Sequence, residues 1–156
     1  LKDQLEDANT KRKEQPFIIV MGHRPIYSSH KEYSKDGVPI DSSRDVQAAF
    51  ENLLFKYQVD LYVCGHVHSY ERVYPTYKNQ RNENGPTHIV IGHAGNPEGI
   101  TLEESYANPP PQWSAMHFTK DEGYVTLEAN QSEMIWRMYA ASSDVLVDEV
   151  KIHRRN

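Results

Sequence analysis

Short apolar runs alternate with polar, turn-rich stretches along this chain, and their periods predict its elements. Leu1 and Leu5 stand at i, i+4 within a charged stretch from Leu1 to Glu14, the narrow stripe of a solvated helix that covers a sheet edge. Pro16 ends that helix, and Phe17-Ile18-Ile19-Val20-Met21 reads as a buried strand. Gly22, Pro25, Ser28 and Ser29 then stop regular structure, and residues 28–39 form a polar loop. A helix resumes at Ser42 or Ser43, either serving as N-cap, with Asp45 favourable in the first turn. Ala49, Phe50, Leu53, Leu54 and Tyr57 follow at helical spacing and predict the core-facing stripe. Val59 to Cys64 is the next apolar strand. Strand, loop, helix and strand over 17–64 make a βαβ unit, which demands parallel strands and a right-handed crossover.

Beyond residue 70 the pattern changes. Thr76 to Pro86 is polar and turn-rich, as a hairpin connection or long loop would be, and Thr87 to Ile91 is a further apolar strand. Pro97 to Trp113 contains Pro109-Pro110-Pro111 and must be irregular. Val125, Leu127 and Ala129 alternate with polar residues, as do Ile135 and Trp136 in the next run. Val145, Val147, Val150 and Ile152 predict a final strand with an irregularity near Asp148. These read as antiparallel strands.

Composition changes this picture little. Of 156 residues, 38% are hydrophobic and 25% charged, ordinary for one globular domain. A net charge of −5 and the lack of a basic cluster give no surface for nucleic acid. No apolar run approaches the length of a membrane span. The single cysteine, Cys64, is expected as a small buried hydrophobe.

The candidate chemistry lies in histidines at strand ends. His66 and His68 follow Gly65, where the backbone can turn sharply. On an extended backbone positions i and i+2 project to one side, so these rings can reach one metal centre or two adjacent ones. His23 follows the first strand in the matching context Gly22-His23-Arg24-Pro25. Ligands gather at the carboxyl ends of parallel strands, so His23, His66 and His68 converge if the two strands lie close together.

Gly65-His66-Val67-His68-Ser69-Tyr70-Glu71-Arg72 resembles the GHxHxYER signature of purple acid phosphatases, within the metallophosphoesterase superfamily. Val20 to Ser29 is similar to that family's VxxH motif with its following Pro and Tyr, and the likeness continues through Ile89 to Gly99 and Asp121 to Leu127. The family's first three motifs, of GDxG, GDxxY and GNHE type, do not occur here. The resemblance therefore implies that residues 1–156 are the C-terminal part of a single calcineurin-like metallophosphoesterase domain, whose N-terminal part the chain lacks. The implied fold is the corresponding part of an α/β/β/α sandwich, a βαβ unit followed by mostly antiparallel strands.

The same resemblance implies an acid phosphatase that hydrolyses phosphate monoesters through a metal-activated hydroxide. The complete domain would hold Fe(III) with a divalent Zn, Mn or Fe(II). His23 and His66 would serve one metal and His68 the other, while the absent segment supplies the remaining ligands, so the isolated chain is expected to be inactive. His30 is the candidate catalytic residue of the loop, contacting phosphate or protonating the leaving group, although its spacing departs from the family's. Tyr70, Glu71 and Arg72 are expected to orient the ligand loop; Arg72 either faces phosphate or pairs with Glu71. His93 faces the cleft or packs away from it, and His88, His117 and His153 are structural or surface residues. The partners implied are a phosphomonoester and the rest of the domain, with no nucleic acid and no membrane. Asn130-Gln131-Ser132 is a glycosylation sequon, and the family implies a secreted, vacuolar or lysosomal location.

A sister metallophosphoesterase shares the histidine logic, but Tyr70-Glu71-Arg72 and Arg24-Pro25 favour the purple acid phosphatase branch. A metallo-β-lactamase-type hydrolase would carry Asp-His where Ser69-Tyr70 stands. The alternative of another class is a non-catalytic metal-binding or interaction fragment, or a processed chain that needs a partner segment for the remaining metal ligands.

Overall fold

The computed structural model describes residues 1–155, with only the backbone of Asp41 and Ser42. Its strands are β1 (Ile19–Met21), β2 (Ser34–Lys35), β3 (Val38–Pro39), β4 (Leu61–Cys64), β5 (Tyr70–Val73), β6 (Thr76–Tyr77), β7 (Gln80–Arg81) and β8 (Thr87–Ile91). They continue with β9 (Ser114–Phe118), β10 (Gly123–Ala129), β11 (Glu133–Ala140) and β12 (Leu146–His153), and the helices are α1 (Lys2–Thr10) and α2 (Asp41–Lys56). A five-stranded sheet in the order β1-β4-β8-β5-β9 is the centre of the molecule. Strands β1, β4 and β8 are parallel, and β5 runs antiparallel to both of its neighbours. Strands β10, β11 and β12 form a separate antiparallel sheet. The expected βαβ unit and antiparallel second half are both present.

Strand alternation divides the core between two faces. Tyr62, Cys64 and Val90 face a cluster with Leu5, Tyr27, Leu54, Tyr57 and Trp113 on the helical side. Leu61, Val63, Tyr70 and Ile89 face Met134, Trp136, Met138 and Ile152 of the three-stranded sheet. Arg72 Nε and Nη2 donate to Asp148 at 2.7 and 3.0 Å, and Tyr70 Oη donates to it at 2.8 Å, which ties β5 to β12 across the layers. The irregularity expected near Asp148 is there, as a register shift opposite Met138 and Tyr139.

Some local readings need correction. Helix α1 ends at Thr10, and turns lead from there to Pro16. Ile40, not a serine, occupies the N-cap of α2, with no side-chain capping bond. Ser43 instead donates to Pro25 C=O at 3.0 Å, and the side chain of Ser42 lies outside the described residues. Ala49 and Phe50 are exposed; Leu54 and Tyr57 are buried, with Val46 and Leu53 packed beside them. The stripe is rotated because α2 meets the sheet through Ser43, Val46, Leu54 and Tyr57, a face that includes a polar residue. On β11 the inward residues are Met134, Trp136 and Met138, and Ile135 falls on the other side.

His88 is 2% exposed and packs edge-on against Tyr27. Burial disfavours the imidazolium and pushes its pKa down to about 3. The unfolded chain therefore binds an extra proton below pH ~6.5, so stability falls as pH is lowered through that window. Denaturant melts across pH should show the slope made shallower by His88→Phe, by roughly 1.4 kcal/mol per pH unit. Arg72→Met, which leaves Asp148 without its cation, should cost about 3 kcal/mol in the same melts at neutral pH.

Candidate metal centre

Register brings the histidines together. Met21 pairs with Val63, and the ladder runs on through Gly22 N–H to Val63 C=O (2.9 Å) and Gly65 N–H to His23 C=O (3.1 Å). His23 therefore leaves β1 beside the residue that precedes His66. A Cβ on Gly22 would stand 2.3 Å from Tyr62 Oη, so glycine alone lets that phenol pass and donate to Arg24 C=O at 2.8 Å. From the other side Gly92 follows β8, and a Cβ there would fall 2.0 Å from Val67 C=O. Gly92 N–H donates to Ser69 C=O at 3.1 Å, which seats the His66–Ser69 bend on the sheet.

His66, not Gly65, makes the turn: its φ is 71°. A left-handed non-glycine residue is strained, and such strain concentrates at functional sites. The bend departs from the extended backbone that the i, i+2 argument assumes. His66 Nδ1 lies 3.2 Å from His23 Nε2, the rings edge to face, whereas His68 Nε2 stands 3.7 Å from Glu98 Oε2. Among the described residues His68 makes no hydrogen bond or ring contact with the other two. Two nitrogens bound to one cation at about 2.0–2.1 Å lie roughly 2.9–3.4 Å apart at ordinary ligand angles. The spacing of His23 and His66 fits one edge of such a shell. Burial, with Arg24 and His23 nearby, holds the His66 pKa below its usual value and favours the neutral ring that a metal needs. Among the described residues, no three His, Cys, Asp or Glu side chains converge to hold an ion.

The remaining expected residues surround this pair. His30 lies in the loop, its ring tilted against Tyr33 and edge-on to Tyr106, with Nδ1 accepting Glu32 N–H at 3.2 Å. Among the described residues none of its hydrogen bonds or ring contacts reaches His23, His66 or His68. Glu71 is fully buried and pairs with no cation among the described residues; it does not pair with Arg72, which points to the opposite face of β5. Its carboxylate accepts from Ser28 Oγ (2.8 Å), Ser29 N–H (2.9 Å) and Ser114 Oγ (2.8 Å). Burial raises its pKa, and those donors counter the rise. Arg72 is committed to Asp148, so the expected pair with Glu71 does not form. Cys64 is buried in the core and its thiol is pushed up by desolvation. His93 packs inside, 1% exposed, with its pKa lowered by burial to about 4. His117 stacks on Tyr106, and His153 is exposed.

Two residues at the centre escape sequence reasoning. Tyr33 Oη and Arg24 Nη1 both meet His66 Nε2, at 2.7 and 2.9 Å. A tyrosine in a polar loop and an arginine beside a proline carry no spacing signal. Only the folding of residues 28–39 over the bend brings Tyr33 there.

Residues 1–70 match a family profile described as calcineurin-like phosphoesterase, and residues 85–149 match one described as iron/zinc purple acid phosphatase-like protein C. In sequence and in structure the chain matches members of the purple acid phosphatase family. It is 34% identical to purple acid phosphatase 22 of Arabidopsis thaliana over 94% of its length, and 37% identical to human acid phosphatase type 7 over 81%. It spans about a third of each, 32% and 31%. A purple acid phosphatase from yellow lupin seeds superposes with a TM-score of 0.78 at 29% identity, covering 97% of this chain and 28% of that one. Zn(II) titration by calorimetry should show weak binding by the chain, lost in His23→Ala and in His66→Ala and kept in His68→Ala.

Proposed function

We propose that this chain is a catalytic-domain segment of a metal-dependent acid phosphatase, and that it needs a partner segment to supply the remaining metal ligands. The observation that carries this reading is the His23–His66 pair at 3.2 Å, set beside an uncovered strand. Strand β1 is hydrogen-bonded only to β4 among the described residues. Its outward face shows Ile19 and Met21, 39% and 76% exposed, although their register partners Leu61 and Val63 are buried. An apolar face continuous with a core, next to half of a ligand set, is what a missing neighbouring segment would cover.

In the complete protein the substrate would be a phosphate monoester. Two cations, Fe(III) with Zn, Mn or Fe(II), would offset the charge of the dianion and activate water. The contribution of this chain is positional: His23 and His66 present facing nitrogens, His68 would serve a second ion, and Glu71 fixes Ser28 and Ser29 just before His30. His30 is the candidate for protonating the leaving group. No helix among the described residues is long and apolar enough to cross a membrane. Asn130 occupies an exposed turn between β10 and β11, its Oδ1 accepting Ser132 Oγ–H and N–H at 2.8 Å, which supports a glycan acceptor in a secreted, vacuolar or lysosomal protein.

The test is complementation. Residues 1–156 alone should hydrolyse p-nitrophenyl phosphate no faster than a metal-free control. Joined to an upstream segment that carries GDxG, GDxxY and GNHE motifs, they should gain turnover that His66→Ala abolishes. Robust turnover by the isolated chain, with contaminating phosphatase excluded, would overturn the need for a partner.

A further inference from the structure

The two ring nitrogens of His66 face different company. Nδ1 looks at His23, 3.2 Å away, and Nε2 meets both Tyr33 Oη and Arg24 Nη1. A neutral imidazole carries one proton, so what happens at Nε2 decides what Nδ1 can do. A guanidinium only donates. Its contact requires the lone pair on Nε2, which puts the proton on Nδ1 and points it at His23, where no cation can then be shared. A phenol hydroxyl donates or accepts. By accepting a hydrogen bond from Nε2–H, Tyr33 leaves the lone pair on Nδ1, aimed at the nitrogen of His23. Two neighbours of one atom thus select opposite tautomers. Histidine ligands characteristically give their second N–H to an acceptor that fixes the ring.

The two neighbours also differ in burial. Tyr33 is 7% exposed, with its ring edge-on to His66 at 5.5 Å. Its backbone N–H donates to His30 C=O at 2.8 Å, and its C=O accepts Ile40 N–H at 3.0 Å. Arg24 is exposed, and its charge repels any cation placed between the histidines. We propose that Tyr33 is a positioning residue that turns His66 toward a cation shared with His23, and that Arg24 opposes it by holding His66 in the metal-incompetent tautomer. This inference rests on the reading of His23 and His66 as ligands of one ion.

The test is a calorimetric titration of the 156-residue chain with Zn(II), paired with nitrogen NMR of the metal-free imidazoles to read the His66 tautomer. Tyr33→Phe should weaken Zn(II) binding about 10-fold or more, within the range for losing such a partner. Arg24→Gln should strengthen it several-fold and move the His66 proton from Nδ1 to Nε2 before any metal is added. Opposite signs are the signature, since general loosening of the loop would move both variants the same way. Tyr33→Phe binding as tightly as wild type, while His23→Ala and His66→Ala lose binding, would overturn the role of Tyr33 and leave the metal reading standing. Same-sign changes, or an unmoved tautomer in Arg24→Gln, would also overturn the proposal, and the tautomer remains measurable even if Tyr33→Phe fails to fold. Zn(II) binding that is absent from wild type, or untouched by the histidine variants, would remove the metal reading and this inference together.

Discussion

The parallel pairing of β1 with β4 is the constraint on which the site depends. Its register continues one step past each strand, through Gly22 N–H to Val63 C=O and Gly65 N–H to His23 C=O, and that step sets His23 beside His66. Strand side chains alternate with period two, so a slip of one residue would turn Val20 from the helical core and bring His23 out on the wrong side of the sheet. Burial on both faces of β4 forbids the slip, because Leu61 and Val63 fill one core while Tyr62 and Cys64 fill the other. Packing energy on both sides of one short strand therefore holds two imidazoles within reach of one ion.

Strand β5 adds a second level of order through two adjacent residues. Glu71 points to the helical side and gathers Ser28, Ser29 and Ser114, fastening the loop that follows His23 to β5 and β9. Arg72 points to the other side and clamps Asp148 of the second sheet. A buried carboxylate is costly unless its lone pairs are satisfied, and here they are met by hydroxyl and amide donors. The signature that names the family thus works as a fastener between layers. It acts on the histidine loops indirectly, by deciding where they end.

The helices, the apolar strands and the βαβ order were legible from hydrophobic periodicity alone, as was the antiparallel second half. So were the histidines, because strand ends followed by Gly-His are short-range patterns. Where the reading erred, the competing term was tertiary. Ser43 gave its hydroxyl to Pro25 instead of capping α2, and Phe50 turned outward because the face of that helix is chosen by the sheet beneath it.

What the sequence determined by itself was the family, the sheet-and-helix order and the identity of the histidines. The tertiary structure alone decided which nitrogens face each other. The left-handed turn at His66 departs from the extended backbone of the i, i+2 rule, and His66 Nδ1 meets His23 while His68 Nε2 faces Glu98. Folding of the 28–39 loop puts Tyr33 on Nε2, and Arg72 finds Asp148, 76 residues away, in preference to the Glu71 beside it. Such pairings depend on backbone direction and on contacts distant in sequence. Periodicity records which side a residue faces, and it carries no information about what waits there.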